Sequence, residues 1–312
     1  MADTNDTNWE RQAIERLARE ALDEQRRNRR WKMIRFFILL AVFLLLIVVQ
    51  PREWSSKPSA STYTGLVDLD GVISSDAPAS ADNIVAGLRS AFENKGTVGI
   101  ILRADSPGGS PVQSRYIYDE IKRLRTKHPD KLLYAVIGDT CASGCYYVVA
   151  AADKIYANPS SLVGSIGVLM NGFGLTDVIK KLGVERRLFT AGEHKGFLDP
   201  FSPIRPDERR HIQEMLDRIH KQFIQAVRDG RGQALKETKD TFSGLFWTGD
   251  QAKEMGLIDD FGSASFVARE VVKADEIVDF TFRENVIDRV ARRFGSAMGE
   301  TLGLRLLGQK LQ

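Results

Sequence analysis

Gly138-Asp139-Thr140-Cys141-Ala142-Ser143-Gly144-Cys145-Tyr146-Tyr147 is the stretch on which the reading of the fold turns. It follows a short apolar run, Leu132 to Ile137, whose composition predicts a buried strand. It leads into Tyr146 to Ala152, small and apolar residues that predict a helix. A strand that hands over to a helix through small residues aims the Ser143 hydroxyl at the positive end of a helix dipole. A developing oxyanion is stabilised there. Ser143 is therefore a candidate nucleophile, and the plain alternative is a serine that caps the helix.

Upstream, Thr97 to Arg103 is almost wholly apolar or β-branched, which suits a strand buried on both faces. It opens into Ala104-Asp105-Ser106-Pro107-Gly108-Gly109-Ser110, after which Pro111 begins a helix reaching about Arg125. Before it, Tyr63 to Val72 reads as a strand. Ala81 to Phe92 reads as an amphipathic helix with Ile84, Leu88 and Phe92 on one face. Lys154 to Ala157 is a further short strand. Alternating strands and helices predict an α/β domain with much parallel sheet, whose ligands bind beyond the strand C-termini. The Gly108-Gly109 and Ser143-Gly144 turns both fall at that end. Each offers backbone N–H groups of the kind an oxyanion hole needs.

Downstream comes Gly164-Ser165-Ile166-Gly167-Val168, then a glycine-rich loop to Gly174. The pattern predicts a short helix over Thr176 to Lys181, a strand over Val184 to Thr190 and a loop from Ala191 to Pro203. Pro206 to Arg228 reads as a long helix with Ile212, Met215, Leu216, Ile219, Phe223 and Ala226 as its inner face. Helices over Asp250 to Met255 and Ala264 to Lys273 and an edge strand over Ile277 to Phe282 complete the domain, residues 63–282. In the tail, residues 283–312, Val286, Val290, Phe294, Met298 and Leu302 recur at helical spacing. They predict an amphipathic helix, for self-association, membrane contact or packing on its own domain.

A serine nucleophile needs a base. The chain has four histidines. His211 and His220 lie on the long helix and His128 at a helix end, so all three read as solvated. His194 and Lys195 stand in the loop constrained by Gly192, Gly196 and Pro200. Lys195 serves as a base only when neutral, which requires lowering its pKa from about 10.4 toward 7 or 8, about 4 kcal/mol of desolvation and neighbouring donors. A hydroxyl such as that of Ser165 could hold the amine. Taken alone, Lys195 reads better as a surface lysine. Cys141 and Cys145 flank the serine. They could pair in an oxidising compartment, but a bridge across the turn would strain it, which favours two small buried thiols.

The N-terminal fifth has a different character. Residues 1–32 form a basic and amphipathic segment, with Ile14, Leu17, Ala18, Ala21 and Leu22 on one helical face and the cluster Arg26-Arg27-Asn28-Arg29-Arg30-Trp31-Lys32 at its end. From Phe36 to Val49 the sequence is unbroken apolar. With Met33, Ile34 and a snorkelling Arg35 it predicts a membrane anchor over residues 33–50. The long flank before it and the lack of a small-x-small site after it argue against a cleaved signal peptide. The basic excess on the N-terminal side keeps that end in the cytoplasm and translocates the rest. Residues 51–62, rich in Ser, Pro and Lys, read as a linker. The 312 residues carry a formal net charge of only +3, which is no nucleic-acid footprint. Neither a metal-ligand cluster nor a phosphate-binding GxxxxGK[ST] loop occurs, so no cofactor or metal is expected.

Taken together, GDTCASGCYYVVAAA from Gly138, RADSPGG from Arg103, GSIGV from Gly164 and AGEHKGFLDPFSP from Ala191 resemble the signal peptide peptidase A (protease IV) family in its short, single-repeat form. The resemblance runs from about Thr62 to Val272, and FWTGDQAKEMGLID from Phe246 adds to it. It implies a ClpP/crotonase-like α/β fold and a membrane-anchored serine endopeptidase with a Ser-Lys dyad that degrades cleaved signal peptides and other membrane-associated unfolded peptides. Carried onto this sequence, it implies Ser143 as nucleophile, Lys195 as general base and Ser165 as the residue that orients the lysine. The N–H groups of Gly109 and Gly144 become the oxyanion hole. It further implies a homo-oligomeric ring, tetramer or octamer, and leaves open whether serine and lysine pair within one subunit or between neighbouring subunits. The expected setting is a bacterial inner membrane with the catalytic domain outside the cytoplasm, and the expected partners are peptides and the lipid bilayer. His194 departs from the family, which often has an aromatic such as Tyr there, and this keeps a Ser-His arrangement open. A non-catalytic scaffold of the same fold that binds membrane peptides is the alternative. An acyl-CoA enzyme of the crotonase group fits poorly with a translocated domain.

Overall fold

The computed structural model describes residues 19, 24–43 and 61–283. The chain divides into two compact units, Met1–Lys57 and Pro58–Gln312. In the first, residues 24–43 are helical (α1) and exposed along their whole length, Phe36, Phe37 and Leu39 included. No helix among the described residues is long and apolar enough to cross a membrane. The expected anchor, residues 33–50, is described only as far as residue 43. The tail helix expected over residues 283–312 lies outside the described residues, apart from residue 283.

The second unit is built on one sheet, eight-stranded among the described residues. Its central strands are β1 (Tyr63–Asp70), β2 (Thr97–Ser106) and β3 (Leu133–Ala142), all parallel. The edge strand β8 (Ile277–Asp279) pairs with β1, also in parallel. At β3 the sheet divides. Its first half, Tyr134 to Val136, pairs with β4 (Lys154–Ala157), and its last three residues pair with β5 (Leu162–Gly164). β4 carries β7 (Asp260–Phe261), and β5 carries β6 (Phe246–Thr248) in the one antiparallel pairing among the described residues. This mixed, mainly parallel α/β sheet fits the ClpP/crotonase-like fold expected.

Crossover helices explain the parallel pairing. α2 (Ala81–Glu93) joins β1 to β2, and α3 (Pro111–Lys127) joins β2 to β3. The Ser80 hydroxyl accepts from the Asn83 N–H and the Ser110 hydroxyl from the Gln113 N–H, so each helix starts on a side-chain cap. Ile84, Leu88 and Phe92 are buried beside Ile117, Ile121 and Leu124 in the main core, the face predicted for the first of these helices. The opposite sheet face buries Leu66, Ile101, Tyr134, Val136 and Tyr156 against Val267 and Ala268. Those last two belong to a π-helical segment, Val267–Val272, that continues α8 (Ala264–Phe266).

Two expectations fail in the segment after β5. Val184 to Thr190 forms no strand: it is irregular and exposed, Phe189 at 91%. A strand needs a neighbour for its backbone groups, and none of the described residues supplies one. α6 (Pro206–Arg231) runs three residues beyond the prediction, but its buried apolar residues, Phe223, Ala226 and Val227, all lie in its C-terminal half. Ile212, Met215, Leu216 and Ile219 stay partly exposed. Ahead of both, α5 (Thr176–Lys181) has no buried residue. α4 (Gly144–Val149) is wholly buried and follows β3 directly; α7 (Gly249–Glu254) follows β6.

Candidate active site

Ser143 sits between β3 and α4 with φ 52 and ψ −121, a conformation that L residues rarely adopt. Its side chain makes no capping bond to α4, which removes the plain N-cap reading. Strain of this kind costs roughly 1–3 kcal/mol and persists only where the surroundings enforce it. They do so here. The Ser143 N–H donates to the Gly164 carbonyl at 2.9 Å, and the Ser143 carbonyl accepts from the Tyr147 N–H at 3.0 Å.

The glycine turn after β2 closes over the other side. Gly108 has φ 94, and a Cβ there would stand 2.6 Å from both the Ala142 oxygen and the Gly144 nitrogen. Only glycine permits that approach. The buried Ser106 hydroxyl accepts from the Gly108 N–H at 3.1 Å and fixes the turn. Gly109 is bound on either side rather than through its own amide: the Ile73 N–H donates to the Gly108 carbonyl, and the Ser110 N–H to the Ile73 carbonyl. A Cβ on Gly144 would lie 3.2 Å from the Gly109 nitrogen. The Gly109 and Gly144 amides are therefore neighbours, and neither has an acceptor among the described residues. Two unspent N–H donors beside a partly exposed serine at a helix start can hold an oxyanion.

Ser165 is the second strained serine, with φ 50, at the end of β5. Its N–H donates to the Leu245 carbonyl at 2.8 Å, on the approach to β6. Its hydroxyl, like that of Ser143, has no hydrogen-bond partner among the described residues. Lys195 does not join them within one protomer. It is exposed in a turn where its own N–H donates to the Gly192 carbonyl, and its amine makes no bond to either serine. His194 is engaged elsewhere: the Arg205 guanidinium donates to its Nδ1 at 2.9 Å. The Ser-His arrangement therefore has no support in the protomer.

The structure corrects the reading of Cys141 and Cys145, which are joined in a disulfide that spans the Ser143 turn. The positive φ of Ser143 folds the chain back on itself. The two Cα atoms come to 5.2 Å, a separation a disulfide spans without distortion. His220 and His128 are also not simply solvated. His220 Nε2 lies 3.1 Å from the Ile166 carbonyl, next to Ser165. His128 has a buried Nε2 and packs its ring on Phe92. Sequence reading missed the His220 contact because its partner is a backbone atom 54 residues away.

These parts place a strained serine beside two free amides at the strand ends of a mainly parallel α/β sheet. The chain belongs to peptidase family S49, whose profile matches residues 125–277. A Synechocystis sp. protein named as a candidate protease is 31% identical over 210 residues, 67% of this chain and 73% of that one. "Protease 4" of Haemophilus influenzae is 29% identical over 218 residues, 69% of this chain and 34% of its own length. A Brucella abortus chain named Na(+)/H(+) antiporter NhaA is 44% identical over 175 residues, which are 56% of this chain and only 24% of that one. The match thus leaves about three quarters of that chain without a counterpart.

Proposed function

We propose that this chain is a membrane-anchored serine endopeptidase that uses a Ser143–Lys195 dyad on peptides at or near the membrane, cleaved signal peptides among them. One observation carries the reading: Ser143 is held at φ 52 beside the unspent amides of Gly109 and Gly144. Ser143 attacks the peptide carbonyl, and the two amides hold the oxyanion. The neutral Lys195 amine, oriented by Ser165, takes the serine proton and returns it to the leaving amine.

The lysine comes from a neighbouring subunit of a homo-oligomeric ring. The segment that bears it exposes Leu169 at 79%, Phe173 at 86%, Leu182 at 72% and Phe189 at 91%, more apolar surface than an isolated chain keeps in water. Assembly buries that surface and desolvates the lysine, which a base of this kind requires. The basic cluster from Arg26 to Lys32 and the apolar run from Phe36 to Val49 support an anchor in a bacterial inner membrane with the N-terminus cytoplasmic. The disulfide supports an oxidising, extracytoplasmic setting for the domain.

Labelling with a serine-directed acylating probe tests the dyad. Wild type acylates at Ser143, and Lys195→Ala loses the labelling while keeping its assembly state. Full labelling in Lys195→Ala would overturn the dyad. The exposed Lys195 of the protomer favours the second reading, a non-catalytic scaffold. Peptide binding by the assembled wild type without acylation or turnover selects it.

A further inference from the structure

We propose that the Cys141–Cys145 disulfide is a thiol-exchangeable clamp on the nucleophile, so that turnover responds to thiol–disulfide exchange; this rests on Ser143 being the nucleophile. Cys141 is the penultimate residue of β3, fixed by pairing opposite Ser106 on one side and Val163 on the other. Cys145 is in the first turn of α4, a helix buried throughout. Between these anchored ends only Ala142, Ser143 and Gly144 remain, and two of the catalytic groups, the Ser143 hydroxyl and the Gly144 N–H, belong to them.

The backbone bonds to Gly164 and from Tyr147 hold both ends of Ser143 but leave its φ and ψ free to relax together. The bridge removes that freedom. It ties the strand end to the helix start, and the short connection between them then turns back only through the rare conformation at Ser143. Without it, a return of Ser143 toward ordinary backbone angles swings the Gly144 N–H away from the Gly109 N–H and spoils the oxyanion site. The strands that flank the site do not change.

The exchange balances. A thiolate of a dithiol reductant attacks one sulfur and breaks the Cys141–Cys145 bond. The reductant's second thiol resolves the mixed disulfide. Both cysteines take up protons, and the reductant is left as a disulfide. The reverse uses a small-molecule disulfide as the two-electron acceptor. Both cysteines are fully buried, so the turn has to open for either reaction and exchange is slow.

The test compares the full-length assembled protein, oxidised and after prolonged dithiothreitol, on a fluorogenic peptide, with alkylation and mass measurement to count thiols. Reduction is expected to lower kcat about five- to thirtyfold with KM within about twofold, and oxidised glutathione restores it. The double variant C141A/C145A should share the low kcat and respond to neither reagent. Should that variant fail to fold, reduced wild type, which differs from the oxidised form by two hydrogens, gives the same comparison. A bridge-free protein with the kcat of oxidised wild type overturns the clamp. Failure of thiols to appear in folded wild type overturns the exchange. Absence of probe acylation in oxidised wild type instead overturns the nucleophile reading beneath both.

Discussion

The Ser143 N–H donates to the Gly164 carbonyl at 2.9 Å, so one hydrogen bond joins the Ser143 turn to the turn that holds Ser165. Both serines have positive φ, 52 and 50. A shared strain of this kind places two hydroxyls on one rigid frame, the end of β3 against the end of β5. Ser165→Gly separates backbone from hydroxyl, because glycine accepts the positive φ without cost. The variant should keep its melting temperature. Its acylation rate should fall about ten- to hundredfold, the low end of what a group in a proton-transfer chain contributes. An unchanged rate removes Ser165 from the mechanism.

Gly108→Ala should fail for steric reasons. Its Cβ would stand 2.6 Å from the Ala142 oxygen and 2.9 Å from the Ser143 Cβ, at φ 94. Relief requires moving one of the two turns that form the oxyanion site. The expected loss is about a hundredfold or more in kcat, as for removal of an oxyanion donor. Gly232→Ala is the control. It too has positive φ, 51, but its Cβ would meet nothing within 4 Å, so it costs about 1 kcal/mol of stability and leaves kcat alone. Equal turnover in the two variants would mean that the packing at Gly108 does not shape the site.

The sheet was legible because its strands announce themselves. Leu132 to Ile137 and Thr97 to Arg103 are short apolar runs followed by turns, and nothing but a buried strand suits them. Ser143 and the two glycine turns were legible for the same reason, since position at the strand ends follows from the topology. Val184 to Thr190 misled because its composition is that of a strand, whereas pairing is a tertiary event. The disulfide misled more instructively. Cys141 and Cys145 stand at a spacing that joins poorly across an ordinary strand-to-helix turn. The positive φ of Ser143, which sequence does not print, brings them together. The His220 contact with the Ile166 carbonyl has no sequence signature at all.

Glu120 gives a pH dependence whose sign is fixed. Hydrogen bonds from Arg123 pull its carboxyl down, burial opposes them, and the bond from Arg89 adds to the lowering, so the group falls from 4.5 to about 2. Arg89 lies on α2 and Glu120 on α3, so the pair ties two crossover helices together. A carboxyl depressed on folding stabilises fully above its unfolded pKa and loses that contribution as pH falls through the folded one. Wild type should therefore melt above Glu120→Gln by a constant margin from about pH 5 to 7. The margin should close between about pH 4.5 and pH 2. A margin that persists at pH 2 would assign the effect to packing rather than to charge.

A Ser143–Lys195 dyad forms either within one protomer or between two, and mixing two dead proteins tells which. Ser143→Ala retains the lysine, Lys195→Ala retains the serine, and each alone should be inactive. In a ring with one heterologous interface, random co-assembly at equal amounts places a serine-bearing protomer beside a lysine-bearing neighbour at about one site in four. Co-refolded or co-expressed protein should then recover about a quarter of wild-type turnover if the dyad forms between subunits. A dyad within one protomer predicts none, since no chain in the mixture carries both residues. The exposed position of Lys195 and the apolar segment around it favour recovery, because only an interface supplies the burial its neutral form requires. Absence of recovery in rings shown to be mixed would return the dyad to one chain. The segment from 167 to 205 would then have to fold back onto its own β3 and β5.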